Sequence, residues 1–304
     1  LRGMDTHGIN MLASYTERYK SIEHRDITIA VDKGAGLVID GGNHTGQMTS
    51  MLALEKAMEK ADKYGIGLAL VKESCHNGAV GYYAAEAAKK GYISIVSTTV
   101  MPLLAPWGGL EPFVGNNPYA IGFPYKELPI VLDVANTVAA RQKIFSYARE
   151  GWQLPDGWAM DKEGNPTNDP QAAIEGLLMP VGGHKGAGLA VMIDIVLGTL
   201  CDGNYSRSIC PNTQTGYPQH ISHFFFVMNP DFYASRETLD KNIAQYVADF
   251  KNVKKKSDVQ ELLLPGELEW NKTLDRQANG IPISEAIARE LNAYAEKIGL
   301  EPLA

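Results

Sequence analysis

Several residue types that define whole classes of protein are scarce in this chain. Only three cysteines occur, Cys75, Cys201 and Cys210, and none forms a Cys-x-x-Cys pair. That excludes a disulfide framework and fits a reducing, cytoplasmic setting. Positive charge is limited: the formal net charge is -7, and the one dense basic run, Lys254, Lys255 and Lys256, has polar flanks that mark a solvated helix end. Neither nucleic acid nor an anionic membrane surface is an expected partner. Long apolar runs are absent too; the most apolar stretch, 189–200, contains Asp194 and is too short to cross a bilayer, so it reads as a buried core helix. No Gly-x-Gly-x-x-Gly follows a strand-like stretch, and no Ser or Thr follows Lys185 in its glycine-rich run, which removes the standard Rossmann fingerprint and the P-loop. The first residue is Leu1, which predicts a natural beginning further upstream and withholds any targeting inference.

What is present is an alternation of helical and strand-like segments. Over 47–64 the apolar residues Met51, Leu54, Met58 and Ala61 recur at helical spacing, and Gly65 stands where a C-terminal cap belongs. Residues 67–74 read as a short buried strand, 79–90 as a helix closed by Gly91, and 92–99 as a second strand rich in β-branched side chains. A third strand is expected over 128–132, ended by Asp133, with Asn136 or Thr137 capping a helix that runs to about residue 150. Further on, 223–228 reads as a strand and 283–298 as an amphipathic helix. The stretches 105–124 and 151–180 are rich in Pro and Gly and are expected to be long connections of the sort that build sites. This alternation implies a mostly parallel or mixed sheet covered by helices.

Two histidines are candidates for chemistry. His76 lies just past a strand-like stretch and before a helix, where open α/β sheets place their ligands, and an imidazole there can take a proton from a hydroxyl or return it. The alternative for it is a structural loop histidine. His7 sits in the cluster Arg2, Asp5, Thr6, His7 between glycines; the alternative there is a helix start capped by Asp5 or Thr6. The run Gly182, Gly183, His184, Lys185, Gly186 offers backbone amides and a cation at a helix start, and the turn Gly115, Asn116, Asn117, Pro118 offers exposed amides, so either can hold a dinucleotide. His220 and His223 with Cys201 and Cys210 lack metal-ligand spacing, and no metal is expected. Asp194 receives no role.

These motifs, in this order, resemble the malate/L-lactate dehydrogenase family, which also contains sulfolactate, ureidoglycolate and diketogulonate oxidoreductases and is unrelated in fold to the Rossmann dehydrogenases. The likeness rests on Arg2-Gly3 with Thr6-His7-Gly8 and Tyr15, on His76-Asn77-Gly78-Ala79 with Gly81-Tyr82-Tyr83-Ala84, and on Pro106-Trp107-Gly108-Gly109. It continues through Gly115-Asn116-Asn117-Pro118, Val131-Leu132-Asp133, Leu154-Pro155-Asp156-Gly157-Trp158-Ala159, Pro180 to Gly186, and Pro265-Gly266-Glu267.

The resemblance implies an α/β fold: a mixed-sheet nicotinamide-binding domain over residues 65–229 that lacks the Rossmann fingerprint, plus a helical substrate and dimerisation domain built from both chain ends, 1–64 and 230–304. It implies NAD or NADP as cofactor, a small 2-hydroxy/2-oxo acid as substrate, and a homodimer. It further implies His76 and His7 as catalytic groups, and Thr6, Tyr15 and Asn117 on the substrate side. Asp133, Asn136, Thr137, His184, Lys185, Gly186, Pro265, Gly266 and Glu267 fall on cofactor-lining segments. Three departures stand out: Met11 where most members have arginine, Asn116 in place of a common threonine, and Thr99-Val100 where Asn-Ser is frequent. An arginine at position 11 would suit bidentate recognition of a carboxylate. The competing readings are a reductase of another small carbonyl or cyclic imine, and a catalytically silent dinucleotide-binding homologue.

Overall fold

The computed structural model describes residues 2–3, 8–211, 214 and 216–302. The first half runs α1 (Leu12–Ser21), β1 (Thr28–Lys33), β2 (Gly36–Asp40), α2 (Gly46–Tyr64), β3 (Ile66–Ser74), α3 (Val80–Lys89), β4 (Ile93–Thr98), β5 (Tyr119–Phe123) and β6 (Ile130–Val134). The second runs α4 (Arg141–Glu150), β7 (Ala159–Met160), β8 (Pro166–Thr167), α5 (Pro170–Glu175), β9 (Leu177–Leu178), α6 (His184–Thr199), β10 (Ile221–Met228), α7 (Arg236–Lys251), α8 (Glu267–Asn279) and α9 (Glu285–Lys297).

The helical spacing in α2 has the expected consequence: Ala53, Leu54, Ala57, Met58 and Ala61 form its buried face, against the sheet residues Leu37, Ile39, Ala69, Val71, Phe225 and Val227. Burial of the Leu and Met side chains contributes about 1.5–3 kcal/mol each. Gly65 ends the helix in the left-handed region (φ 80°), and its amide donates to the Ala61 carbonyl.

The sheet is mixed, as expected, with strand order β1-β2-β3-β10-β4-β5-β6, in which only β2 and β3 are parallel neighbours. β3 and β4, consecutive strands joined by α3, are parallel to each other but not adjacent. β10, from much later in the chain, lies antiparallel between them. The sheet also begins earlier than residue 65, because β1 and β2 extend it from within the stretch expected to be helical. The expected connection over 105–124 likewise contains a strand, β5, flanked by Pro118 and Pro124; tertiary pairing with β4 and β6 overrides the local breakers. Neither Asn136 nor Thr137 caps α4. Its N-cap is Ala140, and the Asn136 amide group instead donates to the carbonyls of Asn116 and Asn117.

Lys297 on α9 donates to Glu17 on α1 at 3.0 Å. Trp270 on α8 is buried and donates from Nε1 to the Pro129 carbonyl beside β6. The apolar helix α6 is less buried than its composition suggests. Ala187, Ala190, Asp194 and Leu197 face inward, whereas Leu189, Met192 and Ile195 are 41%, 55% and 48% exposed along the opposite side. A helix apolar all round needs a cover on both faces, and within one chain only one face has it.

Asp194 is the one acid on the inward face of α6. Burial pushes its carboxyl up to about 6, opposed by hydrogen bonds from the Asn117 side chain and the Ser206 backbone. Between the unfolded value near 4 and about 6, the folded state holds a proton that the unfolded chain has released, so stability falls as pH rises through this window. Two units correspond to about 3 kcal/mol. Asp194→Asn should remove this slope, and the difference in melting temperature between variant and wild type should grow from pH 4 to pH 6 and then level off; a constant difference across that range would refute it.

Candidate active site

β3 ends at Ser74, and the chain then crosses the edge of the sheet as Cys75, His76, Asn77 and Gly78 before α3 begins. The half-buried His76 is held at three points. Its backbone amide donates to Gln219 Oε1 at 2.9 Å, and its Nδ1 lies 2.7 Å from the Tyr15 hydroxyl and 3.2 Å from the Gly78 amide, which donates to it. The Tyr15 and His76 rings stack with centroids 5.7 Å apart. Burial pushes the Tyr15 phenol up to about 12, against a hydrogen bond with Gln47. Tyr15 therefore remains a phenol at any ordinary pH. Its hydroxyl can donate or accept, so it can orient the imidazole in either protonation state.

The loop itself is pinned from both sides. Asn77 donates to Ser50 Oγ on α2 (3.0 Å), and its carbonyl accepts from the buried Tyr83 hydroxyl on α3 (2.6 Å). Gly46, the first residue of α2, packs so closely that a Cβ there would lie 2.0 Å from the Cys75 carbonyl oxygen and 2.6 Å from the His76 carbonyl carbon. Only glycine allows that approach.

A second group of expected residues gathers around the N-terminus of α6. The Asn136 amide donates to the Asn116 carbonyl (3.0 Å), the Val181 amide donates to the Asn136 carbonyl (3.0 Å), and Thr137 bridges Pro180. Gly182 and Gly183 both have positive φ (61° and 64°), and the Gly186 and Ala187 amides are bonded to the Val181 and Gly183 carbonyls. That leaves the His184 and Lys185 amides at the tip of the helix, with both side chains exposed and His184 edge-on to Trp107. Asn136 Oδ1 and Thr137 Oγ1 are buried without a hydrogen-bond partner. Such atoms are open to an ordered water or to a polar group not supplied by the chain.

Asp133 is placed elsewhere, at the start of α3, where it accepts from the Gly81 amide at 3.1 Å. Its burial raises the carboxyl, and Arg2 and the Gly81 bond oppose the rise. Pro265 and Gly266 join the edge of β6, the Pro265 carbonyl accepting from the Val131 amide at 3.0 Å. The Glu267 carboxylate is engaged within the protein, by Lys251 (2.7 Å) and the Leu264 amide (2.7 Å).

Asn117 is likewise spent internally: Oδ1 accepts from the Val100 amide, and Nδ2 donates to the Ala190 carbonyl and Asp194. These bonds tie two loops to α6. Thr6 and His7 lie outside the described residues. His220 pairs with Glu73 at 2.6 Å, and His223 is buried among hydroxyl groups.

Gln219, Gln47 and Gly46 carried no signal in the sequence. Gln219 reaches His76 only because β10 brings it back from 143 residues away.

Comparison with known proteins places the chain among the dehydrogenases. The sequence profile described as Malate/L-lactate dehydrogenase matches residues 1–292. The chain belongs to that family. It is 33% identical to a malate dehydrogenase of Pyrococcus horikoshii over 100% of its own length and 87% of the relative's. It is 30% identical to a malate/(S)-sulfolactate dehydrogenase of Methanothermus fervidus, over 99% and 88%. Among solved structures, the sulfolactate dehydrogenase from Methanocaldococcus jannaschii superposes with a TM-score of 0.92 at 31% identity, covering 99% of this chain and 87% of the other.

The close approach at Gly46 is open to measurement. Gly46→Ala forces two backbone segments apart and should destabilise the protein by about 2–3 kcal/mol, read as a lower denaturation midpoint in urea; an unchanged midpoint would show that the α2 terminus is free to move.

Proposed function

We propose that this chain moves a hydride between NAD or NADP and a small 2-hydroxy/2-oxo acid, with His76 as the proton-transferring group. The observation that carries the reading is the Tyr15–His76 pair at the end of β3 in a member of a dehydrogenase family. When bound, the dinucleotide supplies the hydride acceptor or donor. The residues present suit such a group: Asn136 Oδ1 and Thr137 Oγ1 are buried acceptors in search of a partner, and the adjacent helix tip offers the amides of His184 and Lys185 with the Lys185 ammonium. Asp133, Pro265 and Gly266 lie along the same edge of the sheet, and Gly186 permits the turn its tight contact with Val181.

In the oxidative direction His76 takes the carbinol proton as the hydride departs, and in reduction it returns that proton to the carbonyl oxygen. Tyr15 keeps the imidazole turned to that oxygen, and the family resemblance assigns His7 and Thr6 roles toward the substrate. Met11 stands one helical turn before Tyr15. A thioether there does not recognise a carboxylate as a guanidinium would, and it favours an apolar or sulfur-containing substituent.

In this reading the sheet carries the cofactor, and α1 with α7 to α9 forms the helical part. A homodimer is supported by the exposed apolar row Leu189, Met192 and Ile195 on α6, which a second copy would cover. A cytoplasmic setting is supported by three free cysteines.

Cofactor titration followed by turnover with a panel of 2-oxo acids tests the reaction class; no turnover with any acid in the presence of either cofactor would overturn it. His76→Ala should lower kcat by a factor on the order of 10² or more while cofactor binding persists; near-normal turnover would move the role to another group. Lys185→Ala should raise the cofactor dissociation constant by roughly 10-fold, the loss of one charge-assisted bond. Fluorescence titration reads this directly, and an unchanged constant would remove the α6 tip from the cofactor site.

A further inference from the structure

Directly beneath His76 runs a buried line of four polar side chains that the proposed mechanism does not use. Thr49 on α2, Ser74 at the end of β3 and His223 on β10 are each 0% exposed, and Thr98 at the end of β4 is 5% exposed. Their links are short and continuous: Thr49 Oγ1 to Ser74 Oγ 2.7 Å, Ser74 Oγ to His223 Nε2 2.9 Å, and His223 Nδ1 to Thr98 Oγ1 2.8 Å. At the α2 end, Thr49 Oγ1 donates to the Gly46 carbonyl at 3.2 Å.

Counting protons orients the line. The Gly46 carbonyl can only accept, so Thr49 donates to it and must accept from Ser74. Ser74, its proton committed, accepts from His223 Nε2–H. A neutral imidazole then has a lone pair at Nδ1, which Thr98 fills by donation. The Thr98 proton has two carbonyl alternatives, Thr99 at 3.1 Å and Ser222 at 3.2 Å, both longer than the 2.8 Å to Nδ1. Every donor is used and both ring nitrogens are satisfied with His223 neutral. Burial, reinforced by the nearby His76, lowers the His223 imidazole to about 3, in agreement with that state.

The line bears on the His76 loop at two points. Ser74 immediately precedes it, and Gly46 is packed against the Cys75 carbonyl from the other side. We infer that His223 is a positioning residue for His76, acting through its Nε2–H bond to Ser74 to fix where the 75–77 loop sits against α2. This inference rests on the reading of His76 as the proton-transferring group.

Two conservative variants separate the links. Glutamine places its amide near the Nε2 position and keeps the Ser74 bond while dropping Thr98; asparagine places its amide near Nδ1 and does the reverse. With the full-length protein and saturating cofactor, His223→Gln should keep kcat within about 3-fold of wild type. His223→Asn should lower kcat by about 10-fold or more, with KM little changed, as a small misplacement of a reacting group does. Ser74→Ala cuts the same bond from the other side and should match His223→Asn, which keeps the test decisive if the asparagine variant fails to fold. In a His76→Ala background neither His223→Asn nor Ser74→Ala should slow the residual reaction further.

Equal kcat for the glutamine and asparagine variants, whether both normal or both low, overturns the positioning role, as does an undiminished loss in the His76→Ala background. Near-wild-type turnover of His76→Ala by itself sinks the acid/base reading and the positioning role with it, whereas a slow His76→Ala with indistinguishable His223 variants sinks only the latter.

Discussion

The two-sided pairing of β10 is the constraint on which the rest of the structure depends. Its backbone is bonded to β3 on one side and β4 on the other, so it locks together two strands that α3 alone would leave apart. The register with β3 shifts between Ile221 and His223, where β3 accommodates an extra residue and Glu73 adopts a positive φ of 51°. A bulge of this kind re-aims the side chains around it. Here it lets Gln219 reach the His76 amide while His223 turns into the sheet beneath Ser74.

Around that frame, polar groups are distributed by how thoroughly the protein satisfies them. Asn77, Asn117 and Glu267 have their side chains consumed by the fold, and they hold loops in place. Asn136 Oδ1 and Thr137 Oγ1, by contrast, are buried and unmatched. Unmatched buried polar atoms are disfavoured in a finished interior, and these two lie beside a glycine-rich helix start. Tyr15 lies between the two cases: buried enough to remain a phenol, yet with its hydroxyl on the half-buried His76 imidazole.

The exterior follows the same logic on the apolar side. Leu189, Met192 and Ile195 belong to a helix whose other face closes the sheet, so α6 links the loop of Asn117, through Ala190 and Asp194, to an uncovered hydrophobic row. Anything that covers this row is mechanically close to the loops at the helix tip.

The sequence alone was enough for the elements whose local periodicity and punctuation agree. The helix ending at Gly65, the strands before and after α3, and the placement of His76 just past a strand end all follow from side-chain period and turn chemistry within a window of some twenty residues. The ordered motifs were enough for the family. What only the tertiary structure decided is everything that depends on partners distant in sequence. β5 lies between two prolines and exists because β4 and β6 pair with it. Asn136, a plausible helix cap by local rules, is drawn to the Asn116 and Asn117 carbonyls instead. Gln219 and His223 reach His76 and Ser74 through a strand inserted far from its neighbours in sequence, and Gly46 is required by a backbone contact that no local pattern encodes. Local sequence sets which conformations each segment favours; hydrogen-bond partners and close packing are set by where the rest of the chain closes upon it, and the geometry of this site is made of the latter.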